Sequence, residues 1–272
     1  MASFIRSSKP LCSTVLSNLW KAQNLNEKIG RKFSTSATCN MVFRQLFDSK
    51  SWTYTYLLAD DESKEAVVID PVLDLVDRDI NIVKELGLTL KYGINTHVHA
   101  DHITGTGVMK KRIDGFKSVL SEKSGAKADL FLADGEKLNF GKYEIEGRCT
   151  PGHTNGCMSF VIHSEKLVFT GDAVLIRGCG RTDFQQGDPR LLYNSVKSKI
   201  FSLPDDFLLY PAHDYLGMTS SSVGEEKKHN KRLTKSIDQF EEIMNNLKLP
   251  YPKQIDTALP ANLVCGIQDD VA

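Results

Sequence analysis

The sequence has no long hydrophobic run: among Ala, Val, Ile, Leu, Met, Phe, Trp, Tyr and Cys no uninterrupted stretch exceeds four residues, as in Ala66-Val67-Val68-Ile69 or Phe207-Leu208-Leu209-Tyr210. A bilayer span needs about 20 mostly apolar residues, so a transmembrane helix is excluded. Net charge is also missing, with 34 Lys plus Arg facing 34 Asp plus Glu, so no broad basic field is available for nucleic acid. None of the six cysteines forms a Cys-x-x-Cys pair, which removes zinc ribbons and thioredoxin-like redox motifs. The Gly178-Cys179-Gly180 run lacks the following Lys-Ser or Lys-Thr of a phosphate loop, and close backbone packing is the simpler reason for its glycines. No repeat period and no low-complexity tract interrupts the chain.

The zero balance hides an asymmetry. Residues 1–40 hold six bases (Arg6, Lys9, Lys21, Lys28, Arg31, Lys32) and one acid, Glu27, so the remainder carries 28 bases against 33 acids. This Ser-rich, basic segment without a long apolar stretch reads as an organelle transit peptide, and Arg31-Lys32-Phe33-Ser34 resembles a mitochondrial processing site. Residues 41–272 are then expected to form one domain with an ample core. Short basic clusters at Lys110-Lys111-Arg112 and Lys227-Lys228 lie in helical stretches and read as solvated faces. In a reducing compartment Cys149, Cys157, Cys179 and Cys265 are expected to be buried thiols.

Short runs rich in Val, Tyr and Thr predict strands over residues 41–47, 52–59, 65–70 and 89–96, with an amphipathic helix over 73–86 ended by Gly87. The second half repeats the plan, with strands at 143–149, 157–163, 166–170 and 207–210 and a helix over 189–201. Two helical stretches and a Pro-bearing tail follow. Two such halves fit two sheets packed face to face with helices outside.

Five of the seven histidines, with carboxylates, occupy strand ends. Thr96-His97-Val98-His99-Ala100-Asp101-His102 places four potential ligands within six residues, a crowding of ionisable groups that needs compensation. His153 follows a strand on a tight loop, Asp172 follows Phe169-Thr170-Gly171, and His213-Asp214 follows Tyr210-Pro211. Four strand ends that each deliver His or Asp point to a metal site on the rim of a sheet sandwich. His163 and His229, outside these segments, are read as structural.

The HxHxDH run at His97 to His102, with His153, Asp172 and His213, resembles the metallo-β-lactamase superfamily, an α/β fold whose αββα sandwich of two mixed sheets carries metals at the sheet edge. More narrowly, residues 95–105 (NTHVHADHITG), 175–187 (LIRGCGRTDFQQG), 211–215 (PAHDY) and 258–266 (ALPANLVCG) resemble the mitochondrial persulfide dioxygenases of the ETHE one type. The resemblance implies one Fe(2+) per chain bound by His97, His153 and Asp172, a facial set that leaves positions for water, dioxygen and sulfur. His99, Asp101, His102, His213 and Asp214 are then candidates to orient those ligands or to complete a second metal site.

The same resemblance implies oxidation of glutathione persulfide with O2 and water to sulfite and glutathione, in the mitochondrial matrix. It further implies a homodimer and a functional link to a separate sulfurtransferase, while the acidic balance of residues 41–272 and the lack of a long apolar run point to no nucleic acid and no membrane as partner. Arg181, Tyr215 and Arg232, beside the metal loops or on the following helix, are the candidate contacts for the glutathione carboxylates. The rival expectation is a binuclear hydrolase resembling hydroxyacylglutathione hydrolase, for which His97, His99, Asp101, His102, His153, Asp172 and His213 would hold two metals. Only 59 residues follow His213, short for the helical glutathione-binding region of those thioesterases.

Overall fold

A computed structural model describes residues 41–266, so the expected leader over 1–40 lies outside the described residues. Strands β1 (Met41–Phe47), β2 (Tyr54–Asp60), β3 (Glu65–Ile69), β4 (Thr89–Ile94), β5 (Lys117–Ser121) and β6 (Leu130–Leu132) form one six-stranded mixed sheet in chain order. The second six-stranded sheet holds β7 (Lys137–Phe140), β8 (Tyr143–Cys149), β9 (Met158–Ile162), β10 (Leu167–Gly171), β11 (Leu208–Pro211) and β12 (Ser221–Ser222), ordered β12-β11-β10-β9-β8-β7. Both sheets mix antiparallel pairs with parallel ones: β3, β4, β5 and β6 run parallel in the first, β10 and β11 in the second.

Side chains on a strand alternate between faces, and here both faces are covered. Tyr54, Tyr56 and Leu58 of β2 point inward and meet Phe160, Ile162 and Phe169 of the other sheet. Their neighbours Leu57 and Ala59 point outward, under Val76, Ile80, Val83 and Met109 of helices α1 (Val76–Glu85) and α2 (Thr106–Arg112). Val161 and Val168 likewise leave the inner core and join Leu192, Val223, Phe240 and Met244. Those residues come from α3 (Pro189–Ser195), α4 (Val223–His229) and α5 (Ile237–Asn245). This is the expected αββα sandwich, and double burial is why its strands read as continuous apolar runs.

Several boundaries differ from expectation. Trp52 and Thr53 belong to the turn before β2 rather than to the strand, and α1 is preceded by a 3-10 turn at Leu73–Leu75. Helix α3, capped by the Asp188 side chain with Pro189 at its first turn, passes into a π-turn at Val196–Ile200. The Pro-bearing tail contains a helix, α6 (Ile255–Leu263), with Pro260 inside it. Burial of Ile255, Ala258 and Asn262 outweighs the lost N–H, a tertiary effect that propensity alone misses. Strands β5, β6, β7 and β12 are short and owe their existence to their pairing partners. The four cysteines are free and buried, as expected, and the basic clusters are paired at the surface, Lys110 with Asp129, Arg112 with Asp77 and Lys227 with Asp205.

Candidate metal centre

The loop 95–105 leaves β4 with His97, His99, Asp101 and His102; His153 follows β8, Asp172 follows β10 and His213 follows β11. At the end of β10 the chain turns sharply through Gly171, whose φ of +54° suits glycine, and a Cβ there would meet Thr96 at 2.7 Å. Gly180 packs equally close, since a Cβ would come within 2.8 Å of Asp172 Cβ and 2.9 Å of His153 Nδ1. Close packing therefore accounts for Gly180; Gly178 has open space where a Cβ would stand, so the expectation for that glycine is corrected.

Ligand-type atoms of His97, His153 and Asp172 all lie within 4.8 Å of one another, and those of His99, Asp101 and His102 form a second such group. The hydrogen bonds fix which nitrogen each ring offers. His153 Nδ1 donates to the Arg181 carbonyl at 2.6 Å, leaving Nε2 free, 3.4 Å from Asp172 Oδ2. Thr96 Oγ1 donates to Asp70 Oδ2 at 2.8 Å and so accepts from His97 Nδ1 at 3.0 Å, which again frees Nε2. His99 Nε2 donates to the other oxygen of Asp70 at 3.0 Å, and His102 Nδ1 to Asp101 Oδ2 at 2.8 Å.

Among the described residues five buried side-chain atoms have no hydrogen-bond partner, and three of them lie at this centre: His99 Nδ1, His102 Nε2 and Asp172 Oδ1. A buried polar atom without a partner costs about 1–3 kcal/mol, so three converging ones demand a cation. Electrostatics agree. Burial, followed by the neighbouring His99 and His153, holds His97 well below the ordinary imidazole range, so it is neutral and its lone pair is available. Burial opposes charge on Asp101 as well, but His102 and His213 overcome it and keep that carboxyl well below its usual range. The donor set of imidazoles and carboxylates fits a first-row divalent metal such as iron.

His213 Nε2 lies 3.5 Å from Asp101 Oδ2 and 3.7 Å from Asp172 Oδ1, between the two groups. Asp214 turns away, accepting from the Leu216 and Met218 N–H groups. Tyr215 stacks on His213 with centroids 6.0 Å apart. Arg181 already forms a bidentate pair with Asp183, gives Nη1 to the Pro250 carbonyl and lies over the Phe184 ring. Arg232 donates Nη1 to the Cys179 carbonyl, bracing the loop that carries Arg181. His163 is a surface partner of Glu146, and His229 closes α4; neither joins the centre.

Sequence reasoning missed three residues. Asp70 anchors both His97, through Thr96, and His99. Thr53 reaches Asp101, His102 and His213 at 3.2, 3.3 and 3.4 Å. Asn262 of α6 donates to the His99 and His102 carbonyls and accepts from Thr104 N. Only Asp70 carried a signal, a carboxylate at a strand end like the others.

The chain matches the metallo-beta-lactamase superfamily over residues 53–138 and 146–213. It is 55% identical over 241 residues to a protein of Mus musculus named "Persulfide dioxygenase ETHE1, mitochondrial", covering 88% of this chain and 95% of that one. The protein of the same name from Homo sapiens is 56% identical over 232 residues, covering 85% and 91%. Among solved structures, ETHE1 from Myxococcus xanthus superposes with a TM-score of 0.80 at 49% identity, covering 83% of this chain and all of that one. Hydrolase names occur at lower identity, as in hydroxyacylglutathione hydrolase GloC of Haemophilus influenzae at 34% over 64% of this chain. The chain belongs to the metallo-beta-lactamase superfamily and, within it, to the persulfide dioxygenase family.

Proposed function

We propose that this chain is an iron-dependent persulfide dioxygenase that converts glutathione persulfide, O2 and water to glutathione and sulfite. The outer sulfur gives up four electrons to dioxygen, and the three oxygens of sulfite come from O2 and water. The observation that carries the reading is the convergence of His97 Nε2, His153 Nε2 and an unpartnered Asp172 oxygen in a chain more than half identical to persulfide dioxygenases. In it, His97, His153 and Asp172 hold one Fe(2+) per chain. Such an ion would supply activation of dioxygen.

The chain's own residues supply geometry. Asp70 and Thr96 fix the tautomer and tilt of His97, and the Arg181 carbonyl does the same for His153. Asp101, His102 and His213 sit beside the reacting position and can hold the protons released with sulfite. Arg181, Tyr215 and Arg232 receive the glutathione end, which for Arg181 requires its half-exposed partner Asp183 to yield. Residues 1–40 serve as a transit peptide to the mitochondrial matrix, and 41–272 form the catalytic domain. A homodimer and a separate sulfurtransferase that provides persulfide complete the proposal.

Oxygen uptake with glutathione persulfide, run beside elemental analysis of the same sample, tests the reading. Sulfite formation with about one iron per chain is expected. One observation favours a second reading: His99, Asp101 and His102 form a ligand group of their own, as a binuclear thioester hydrolase would need. About two metals per chain with thioester hydrolysis and no oxygen uptake would select it.

A further inference from the structure

The turn between β1 and β2 presents a tryptophan to solvent beside the metal centre. The pair Phe47 and Tyr54 closes the hairpin, Asp48 N donates to the Thr53 carbonyl at 2.8 Å, and the Asp48 carboxylate accepts from Lys50 N, Ser51 N and the Ser51 hydroxyl. This tightly bonded turn places Trp52 at a φ of +61°, a left-handed conformation that favours glycine and is an outlier for so bulky a side chain. The residue remains 45% exposed. A strained backbone that carries an exposed indole is the reverse of what stability alone selects, and such positions concentrate at functional sites.

The next residue, Thr53, is fully buried and bonds Asp101, His102 and His213, so the turn is registered against the centre itself. From the centre outward the aromatic faces form a series. Tyr215 stacks on His213 at 6.0 Å and 9°, Trp52 follows Tyr215 at 6.4 Å, and Phe47 backs Trp52 edge-on at 6.0 Å. Tyr215 is 59% exposed and Leu216 80% exposed, so this wall is open to a ligand.

We propose that Trp52 is a specificity-determining residue of the persulfide site, forming with Tyr215 an aromatic wall that receives the amide-bearing organic part of a small thiol persulfide. The inference rests on the persulfide reading and adds a subsite to it. Reach decides the substrate class. Trp52 is two ring-to-ring steps, 6.0 and 6.4 Å, out from His213, a reach that suits a peptidic arm extending from the sulfur-bearing residue. An inorganic persulfide, two sulfur atoms long, has no such arm. Flat amides stack on an indole face, so a peptidic persulfide gains contacts there that a bare one lacks.

The chain has two tryptophans, Trp20 and Trp52, so Trp20→Phe leaves Trp52 as the sole indole reporter. Glutathione added to this full-length, metal-loaded variant should shift the emission saturably, whereas sodium hydrosulfide should not. In oxygen uptake, Trp52→Ala should raise KM for glutathione persulfide on the order of tenfold with kcat, metal content and KM for inorganic hydrogen disulfide unchanged, and Trp52→Phe should restore it. Trp52→Gly removes the backbone strain, so it should lose affinity without losing Tm. Unchanged KM in Trp52→Ala, equal losses for both persulfides, or a KM loss that tracks a fall in Tm would overturn the inference and leave the dioxygenase reading standing. A wild-type chain that consumes no oxygen with any persulfide, yet still shows the saturable emission shift, would sink that reading and leave the subsite.

Discussion

The two groups of potential ligands differ in what their carboxylates are already doing. In the His97, His153, Asp172 group, the imidazole N–H groups are tied to a hydroxyl and a backbone carbonyl, and the Asp172 Oδ1 atom has no partner. In the His99, Asp101, His102 group, both imidazole N–H groups are tied to carboxylates, Asp70 and Asp101. Both groups keep unpartnered atoms, Asp172 Oδ1 in the first and His99 Nδ1 and His102 Nε2 in the second. Only in the first is the unpartnered atom a carboxylate oxygen, whereas the Asp101 carboxylate of the second is already bonded to His102. On the one-iron proposal, that difference is what favours the first group. It also separates origins: the first group is assembled from three loops of the two sheets, the second from a single loop.

The largest expected effect comes from removing the unspent charge. Asp172→Ala should lose both iron retention and sulfite production, read by elemental analysis and oxygen uptake. Next, Asp70→Asn removes the anchor behind both His97 and His99, and should weaken metal affinity about 10–100-fold in a chelator competition while the fold, read by circular dichroism, persists. Asp101→Asn strikes only the group whose carboxylate is already paired with an imidazole, so metal content should stay at about one per chain with affinity changed less than about tenfold. A drop as large as that of Asp172→Ala would erase the contrast between the groups.

A smaller effect concerns thiols near the centre. Burial pushes the Cys157 thiol up to about 12 despite its Thr154 hydrogen bonds, and that of Cys179 to about 11. At pH 8 their thiolate fractions are about one in ten thousand and one in a thousand, against roughly a quarter for an ordinary cysteine. Mass-mapped alkylation of the native chain at pH 8 should therefore leave both unlabelled over the time that labels a denatured control completely.

Much of this was legible in the residues. Short runs rich in apolar and β-branched residues predicted the longer strands of both sheets, as residues 54–60 do, whereas the short β5, β6, β7 and β12 carry too few such residues to stand out. The candidate ligands stood out because five histidines and several carboxylates gather at four strand ends, although any one of them alone would read as structural. What stayed hidden depends on contacts distant in sequence. Asn262 acts on His99 from 163 residues away, and Thr53 on His213 from 160. Trp52 looked like the first residue of a strand, since its type favours strands; only the Asp48 turn, with its carboxylate gathering three donors, puts it in a left-handed conformation outside the ladder. Helix α6 was concealed by Pro260, which local propensity counts against a helix and tertiary burial overrides.

Iron content and oxygen consumption of the wild-type chain and Asp172→Ala, measured on matched preparations, test the central claim most directly. The account predicts about one iron per wild-type chain with sulfite formed from glutathione persulfide, and neither metal nor uptake in the variant. Two metals per wild-type chain, or an Asp172→Ala chain that keeps its iron and its activity, would contradict it.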